Sequence, residues 1–441
     1  MPTSFRPYQP DQMHLLPPSP KDWLAEDHLA YFVSETVDRL DLKAFYKRYR
    51  GDGRRNQPFE PRMMVKVLLY GYATGVFSSR KLAKKLEEDV AFRVLAAGNF
   101  PAHRTIAEFR QKHLKEFQDL FVELVRIAQE AGLLRLGTVA VDGAKVRANA
   151  SKHKAMSYGR MKEEERRLRK EIEELTQRAS REDAEEDRIY GEDQRGDELP
   201  EELRRREKRL EKIDAAIERL KKRQAEEDRK KGRHENDGRK SPRGGRKFKR
   251  DFGEPDDKAQ DNFTDPESRI MKSKGTFQQC YNGQLAVEDG SQLIVATTLT
   301  QNAADNGELL KLVEGMKSNT GRKPERLLAD AGYRDEKSFQ VLEDEKIDAL
   351  ISLGREGKKA PQEPTEGSSA GFRMYEKLKT EFGRRHYARR KAIVEPVFGW
   401  IKEAVGFRRF HLRGVEKVKA EWDLVCLAVN LKRMNRLISW V

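Results

Sequence analysis

The sequence predicts an α/β protein: a mixed sheet covered by helices, preceded by an all-α domain and interrupted by a charged helical hairpin. Three observations carry that reading. Apolar residues recur at three and four spacing from Pro20 to Leu134, the mark of amphipathic helices. From Gly137 the period becomes that of strands, in TVAVDGAKV, FQQCYNGQLAVED, SQLIVATTLTQ, RLLAD and DALISL, bounded by turn residues. Helical segments DNGELLKLVEGM and EKSFQVLEDE separate the later strands. Three consecutive strands followed by helix–strand alternation imply a mixed sheet.

In the N-terminal region the helices fall in HLAYFVSETVDRL, PRMMVKVLLYGYATGVF, SRKLAKKLEEDVAFRVLAAG and RTIAEFRQKHLKEFQDLFVELVRIAQEAG, punctuated by Gly98, Pro101 and Gly132. The middle helices followed by NFPAHRTIAEFRQKH resemble a helix-turn-helix, with Thr105 as N-cap of a helix carrying Arg104, Arg110 and Lys112 toward DNA. A plain helical bundle with a basic face is the competing reading. At the other end, VEKVKAEWDLVCLAVNLKRMNRLI reads as a structural helix packing Val415, Val418, Trp422, Val425, Val429 and Leu437 on the sheet.

Residues 151–260 are a different material. Met161, Leu168, Ile172 and Leu175, then Leu203, Leu210, Ile213, Ile217 and Leu220, keep helical spacing amid dense charge, as in two antiparallel coiled-coil helices joined by an acidic connector. The following DRKKGRHENDGRKSPRGGRKFKRDFGEPDD is basic and nearly free of apolar residues, so it is expected to be disordered alone. The resulting division is an N-terminal tail at 1–20, a helical DNA-binding domain at 21–135, a catalytic domain from 136–150 and 261–441, and the insertion at 151–260.

Composition narrows the partner. In 441 residues, 37% are charged and 37% hydrophobic, with a net charge of +15, a balance that favours a polyanion, nucleic acid first. No apolar run reaches the roughly 18 residues that span a bilayer, and the N-terminus lacks the basic start and apolar core of a signal peptide. The expectation is a cytoplasmic, DNA-associated protein with no membrane partner. Cys280 and Cys426 are the only cysteines, too few for a thiolate zinc site. No Gly-rich loop ending in Gly-Lys-Ser/Thr, HExxH or nucleophile motif is present, so no nucleotide cofactor is expected.

The chemistry rests on three acids. Asp142 lies inside TVAVDGAKV, Asp330 closes RLLAD, and Glu395 sits in RRKAIVEPVFGWIK. Taken singly, each has an ordinary explanation: a turn, a cap or a surface ion pair. Asp142 in an apolar strand is costly unless it has a job. Two strands and a helix delivering oxygen ligands suit one or two hard Mg²⁺ or Mn²⁺ ions, which activate water or a sugar hydroxyl against a phosphodiester. Lys391 and Lys402 flank Glu395 along its helix, with Pro396 marking a start or kink. With Tyr387 and Arg390 in RRHYARRK, and Arg408, Arg409 and Arg413 in GFRRFHLRG, these are the phosphate-contact candidates.

TVAVDGAKVRANAS, DNFTDPESRIMKSKGTFQQCYNGQLAVE, LLADAGY, VEPVFGWIKEAVGFRRFHLRG and CLAVNLKRMN together resemble, in order, the DDE transposases of the IS1182 group within the IS4 and IS5 type. The N-terminal half is similar to the helical domain of the same enzymes. The resemblance implies a ribonuclease-H-like fold, with Asp142 on the first strand, Asp330 after the fourth and Glu395 on a later helix. It implies two divalent ions, double-stranded DNA as terminal inverted repeats and target, and a homodimer or larger paired-end complex. Of the broader family's Tyr, Arg, Glu, Lys signature, Glu395 and Lys402 match. Lys391 stands at the Arg position and Ala388 at the Tyr position, with Tyr387 and Arg390 one place out of register. Rival classes are an inactive DNA-binding relative, a nuclease that never joins strands, and a coiled-coil scaffold, the last leaving the strand-rich half unexplained.

Overall fold

The computed structural model describes residues 19–49, 58–190, 201–235, 248–273, 275–354 and 369–438. Most of the N-terminal tail, the acidic connector at 191–200 and the 236–247 part of the basic linker lie outside the described residues. Among the described residues, seven α-helices form the N-terminal region: α1 (Leu29–Arg39), α2 (Lys43–Tyr46), α3 (Pro61–Ala73), α4 (Ser79–Glu88), α5 (Val90–Leu95), α6 (His103–Lys112) and α7 (Leu114–Glu130). Pro61 opens α3, where its missing N–H costs nothing. Nearly every residue of α3 is buried, which makes it the centre of this bundle. Ala102, not Thr105, occupies the N-cap of α6: the helix begins three residues earlier than the capping pattern suggests.

The main sheet contains β1 (Thr138–Arg147), β4 (Arg269–Ser273), β5 (Thr276–Glu288), β6 (Ile294–Thr300), β7 (Arg326–Ala329) and β8 (Asp348–Ile351). Its order is β4-β5-β1-β7-β8, with β6 also pairing β5. β1 is antiparallel to β5 and parallel to β7, which is parallel to β8. This mixed α/β arrangement is compatible with a ribonuclease-H-like domain. The crossover helices α10 (Leu309–Thr320) and α11 (Glu336–Asp344) lie between the later strands, followed by α12 (Ala370–Lys379), α13 (Glu381–Ala388) and α14 (Arg390–Gly399).

The last helix, α15 (Val415–Ile438), does more than cover the sheet. All residues from Ala420 to Leu431 are buried, because one side faces β6 while the other faces α3 and α7. A helix apolar all round belongs between layers, and one continuous core therefore joins the N-terminal bundle to the sheet. Polar groups within α15 set its position. Asn430 donates to the Ile294 carbonyl at 2.8 Å and accepts from the Ile294 N–H at 2.9 Å. Glu421 accepts from the His411 and Leu412 N–H groups at 2.9 and 3.0 Å and from the Tyr72 hydroxyl. Asp423 accepts from Gln118 at 2.7 Å and from Thr297.

The insertion holds β2 (Ala155–Ser157), α8 (Tyr158–Tyr190), α9 (Glu201–Lys230) and β3 (Gln260–Asn262). α8 and α9 pack together, with ion pairs Arg206–Glu171 at 2.9 Å and Arg209–Glu164 at 2.7 Å in antiparallel order. The base is fastened by Arg219 and Arg223, both paired with the fully buried Asp261 at 2.7 and 3.2 Å. The expectation of disorder fails for the described end of the basic linker. Arg233 pairs with Asp228 at 3.1 Å and lies over the Phe248 ring, Arg250 donates to Gln224 at 3.1 Å, and Arg229 lies over Phe252. Two phenylalanines and a buried ion pair fold this segment onto α9.

Replacing Asn430 by Val strands the buried Ile294 N–H and C=O together. Chemical denaturation should show a loss of roughly 2 kcal/mol or more, with the bundle and sheet unfolding in one transition. An unchanged midpoint, or two separate transitions, would contradict the shared-core account.

Candidate active site

The β1–β7 register decides which acids meet. Val139 pairs with Leu327 and Ala140 with Leu328. Two residues further along each strand are Asp142 and Asp330. The parallel register thus puts these carboxylates side by side at the C-terminal end of β7, on one face. Asp330 caps the short 3₁₀ turn Ala331–Tyr333 and accepts from the Gly332 N–H at 2.8 Å. Asp142 accepts from the Gly143 N–H at 2.7 Å and from Arg390 at 3.1 Å.

Arg390 comes from the first turn of α14, the helix that also carries Glu395. Pro396 lacks the N–H that would bond the Ala392 carbonyl, and Gln292 from the β5–β6 turn takes that acceptor at 3.1 Å. Arg389 pairs with Asp289 of the same turn at 2.7 Å. These two ties fix α14 against the sheet. Arg390 is buried, whereas Lys391 is exposed. Arg390, one place out of register with the signature, is the residue that reaches Asp142.

Glu395 is exposed. It lies about 140° around the helix from Arg390, five residues at about 100° each, on the flank shared with Lys391 and Lys402. Among the described residues, no three Asp, Glu, His or Cys side chains are gathered where they could hold a metal ion. The structure brings Asp142 and Asp330 together and leaves Glu395 on a helix flank beside them.

Electrostatics single out Asp142. Burial pushes its carboxyl up to about 6; Arg390 and the Gly143 N–H pull it down, and the charges of Asp330 and Asp305 push it up. Burial, then the negative charges of Asp305, Asp142 and Asp330, also holds the Tyr333 hydroxyl well above its usual value, so it stays a proton donor. Asp305, between β6 and α10, is the site residue that sequence reasoning missed. The sequence pattern makes it the first residue of the helical segment DNGELLKLVEGM, and only the buried amides Asn282 and Gln284 on β5 signal that something polar faces them.

The phosphate-contact candidates separate into four groups. Arg110 is buried, donating to the Tyr72 hydroxyl at 3.0 Å and the Phe77 carbonyl at 2.9 Å, so it links α6 to the core and does not face DNA. Arg390 faces Asp142. Arg104, Lys112, Lys391, Arg408, Arg409 and Arg413 are exposed, with Lys112 paired to Glu108 and Arg408 to Glu403. Lys402 is half-buried over the Phe398 ring, and Tyr387 lines a hollow with Leu353, Tyr375 and Arg384.

The family pattern of the transposase DDE domain matches residues 249–431, and that of a transposase domain, DUF772, matches residues 18–112. The chain belongs to the DDE transposases. No curated protein and no solved structure matches it. Asp330 and Glu395 fall inside the matched DDE segment, while Asp142 falls outside both matches. In this transposase it is the pairing of β1 with β5 and β7 that joins Asp142 to the matched domain. Among the described residues, no helix is long and apolar enough to cross a membrane.

In metal-free protein the Asp142 carboxyl should titrate near pH 6 in ¹³C NMR, and Arg390→Gln should move it higher. The folded chain binds this proton more tightly than the unfolded one. Asp142 therefore favours folding below the ordinary carboxylate range, and that support is lost as pH rises through about 6. Titration near the ordinary carboxylate value of 3.8 would contradict the desolvation of Asp142.

Proposed function

We propose that this transposase binds the terminal inverted repeats of a mobile element, cuts at the element ends and joins them to target DNA, using Asp142, Asp330 and Glu395 as its catalytic carboxylates. The reading rests above all on the neighbouring registers of Asp142 and Asp330 beneath the helix that carries Glu395. A half-buried carboxylate with two like charges nearby is one that a divalent cation would relieve. The donor set is oxygen only, which fits Mg²⁺ or Mn²⁺. Two ions held by Asp142, Asp330 and Glu395 would lower the pKa of water and of a released 3′-hydroxyl and neutralise charge on the phosphate.

The chain's own residues do the positioning. Arg390 and the Gly143 N–H orient Asp142, and the Gly332 N–H orients Asp330. Glu395, on the exposed flank of α14, approaches the pair from the side where DNA enters. Lys391, Lys402, Tyr387 and the arginines 408, 409 and 413 carry phosphates past the site, and Arg104 and Lys112 extend the basic surface on the bundle. Their contacts are electrostatic, so they position DNA without reading its sequence. Two ends must be held together for joining, which calls for a homodimer or larger assembly, with the α8–α9 hairpin reaching the second end or the partner protomer.

Single changes of Asp142, Asp330 or Glu395 to Ala should each abolish Mg²⁺-dependent cleavage of an end fragment while end binding in gel shifts persists. Cleavage retained by one variant removes that residue from the set. The salt bridges from Arg219 and Arg223 to Asp261 show where the hairpin must not be cut. Deleting residues 173–205 with a short linker should spare single-end binding but impair paired-end complexes, read by gel shift with two fragments of different length. Normal pairing by that deletion would count against the arm's role.

A further inference from the structure

Two glycines hold the site acids by their N–H groups, Gly143 on Asp142 and Gly332 on Asp330, and both press against the same side chain. A Cβ at Gly143 would lie 2.5 Å from Asp305 Oδ1 and 2.3 Å from Gln284 Nε2. A Cβ at Gly332 would lie 3.0 Å from Asp305 Oδ2. Asp305 thus touches the backbone supporting each carboxylate, with one oxygen toward each.

The Asp305 carboxylate is itself held. Its Oδ1 accepts from Asn282 at 2.7 Å and Gln284 at 2.6 Å, with the Lys145 ammonium at 3.5 Å. Asn282 and Gln284 are fully buried on β5, opposite Lys145 and Gly143 in the register. Two amides in the middle of a central strand are costly unless paired, and this pair converges on one oxygen. The other end of Gln284 accepts from the Tyr333 hydroxyl, in the turn that follows Asp330. A continuous chain therefore runs from Asp305 through Gln284 and Tyr333 back to the Asp330 turn.

Strand alternation separates Gly143 from Asp142, while at Gly332 Asp305 Oδ2 and Asp330 Oδ1 lie 3.0 and 2.9 Å from where a Cβ would stand. Asp142 and Gly143 are consecutive on β1, so their side-chain directions are opposite. Arg390 and α14 meet Asp142 on one face, and Asp305 meets Gly143 on the other. We infer that Asp305 is a positioning residue: it fixes Gly143 and Gly332, and through them the relative placement of Asp142 and Asp330. The inference rests on the proposal that those two acids hold the divalent cation. Outer partners of metal ligands commonly govern affinity about 10–100-fold.

The test measures Mn²⁺ binding by electron paramagnetic resonance on the full-length protein with an uncleaved end fragment, alongside circular dichroism melting and the Mn²⁺ concentration for half-maximal cleavage. Asp305→Ala should keep the folded spectrum and end binding while weakening Mn²⁺ binding about tenfold or more. Asp305→Asn, which can still accept from Asn282 and Gln284, should recover part of the loss. Should Asp305→Ala fail to fold, the same comparison is made with Asp305→Asn and Gly332→Ala, both expected to raise the Mn²⁺ requirement. Mn²⁺ binding within twofold of the parent in folded Asp305 variants overturns the inference, provided Asp142→Ala and Asp330→Ala do lose it. If those two variants also bind normally, the cation reading and the inference fail together. Loss as complete as in Asp330→Ala, unrelieved by Asn, would assign Asp305 to direct coordination and overturn the positioning role.

Discussion

Everything in this molecule hangs on α15 being buried on both sides. The helix cannot lie against the sheet without also receiving α3 and α7, because residues Ala420 to Leu431 leave no solvent face. Its buried polar groups convert that hydrophobic contact into a fixed geometry. Asn430 takes both backbone groups of Ile294, and Glu421 gathers Tyr72, His411 and Leu412. Tyr72 in turn receives Arg110. Buried polar groups of this kind are destabilising when half-satisfied and specifying when complete. The consequence for function is mechanical: the bundle that matches a transposase domain and the sheet that carries the acids are parts of one core.

The site is built on the stiffest part of the sheet and finished by a helix held from its far end. β1 lies between β5 and β7, so Asp142 sits on a strand paired on both sides. α14 is tied by Gln292 and Arg389 to the β5–β6 turn, which leaves Arg390 facing Asp142 and Glu395 outward. A buried charge pair costs desolvation, and its retention here keeps a carboxylate oriented where water is scarce. Asp142 is held by Arg390 and the Gly143 N–H, whereas Glu395 is exposed.

Much of this was legible in the sequence because strand and helix periods are local. The runs TVAVDGAKV, FQQCYNGQLAVED, RLLAD and DALISL coincide closely with β1, β5, β7 and β8. The two-stranded pair β2–β3 and the edge strand β4 went unread, since three to five residues carry too little periodicity. Side-chain direction was harder. Arg110 looked like a surface base on a helix face, yet its carboxylate and hydroxyl neighbours come from α15 and α3, hundreds and tens of residues away. Arg390 and Lys391 differ by one position, and only the packing of α14 on β1 shows which one turns inward. Asp305 was invisible for the same reason: its partners lie on β1 and β5, and nothing local distinguishes it from a helix start.

On the proposed function, Asp142 and Asp330 form the floor of a divalent-cation site in this transposase. Anomalous diffraction from crystals of the protein–DNA complex grown with Mn²⁺ tests it most directly. The account predicts a peak bridging the carboxylates of Asp142 and Asp330, with Glu395 drawn toward it. A complex whose Mn²⁺ peaks lie away from both aspartates, with the Asp142–Arg390 pair unchanged, would contradict it.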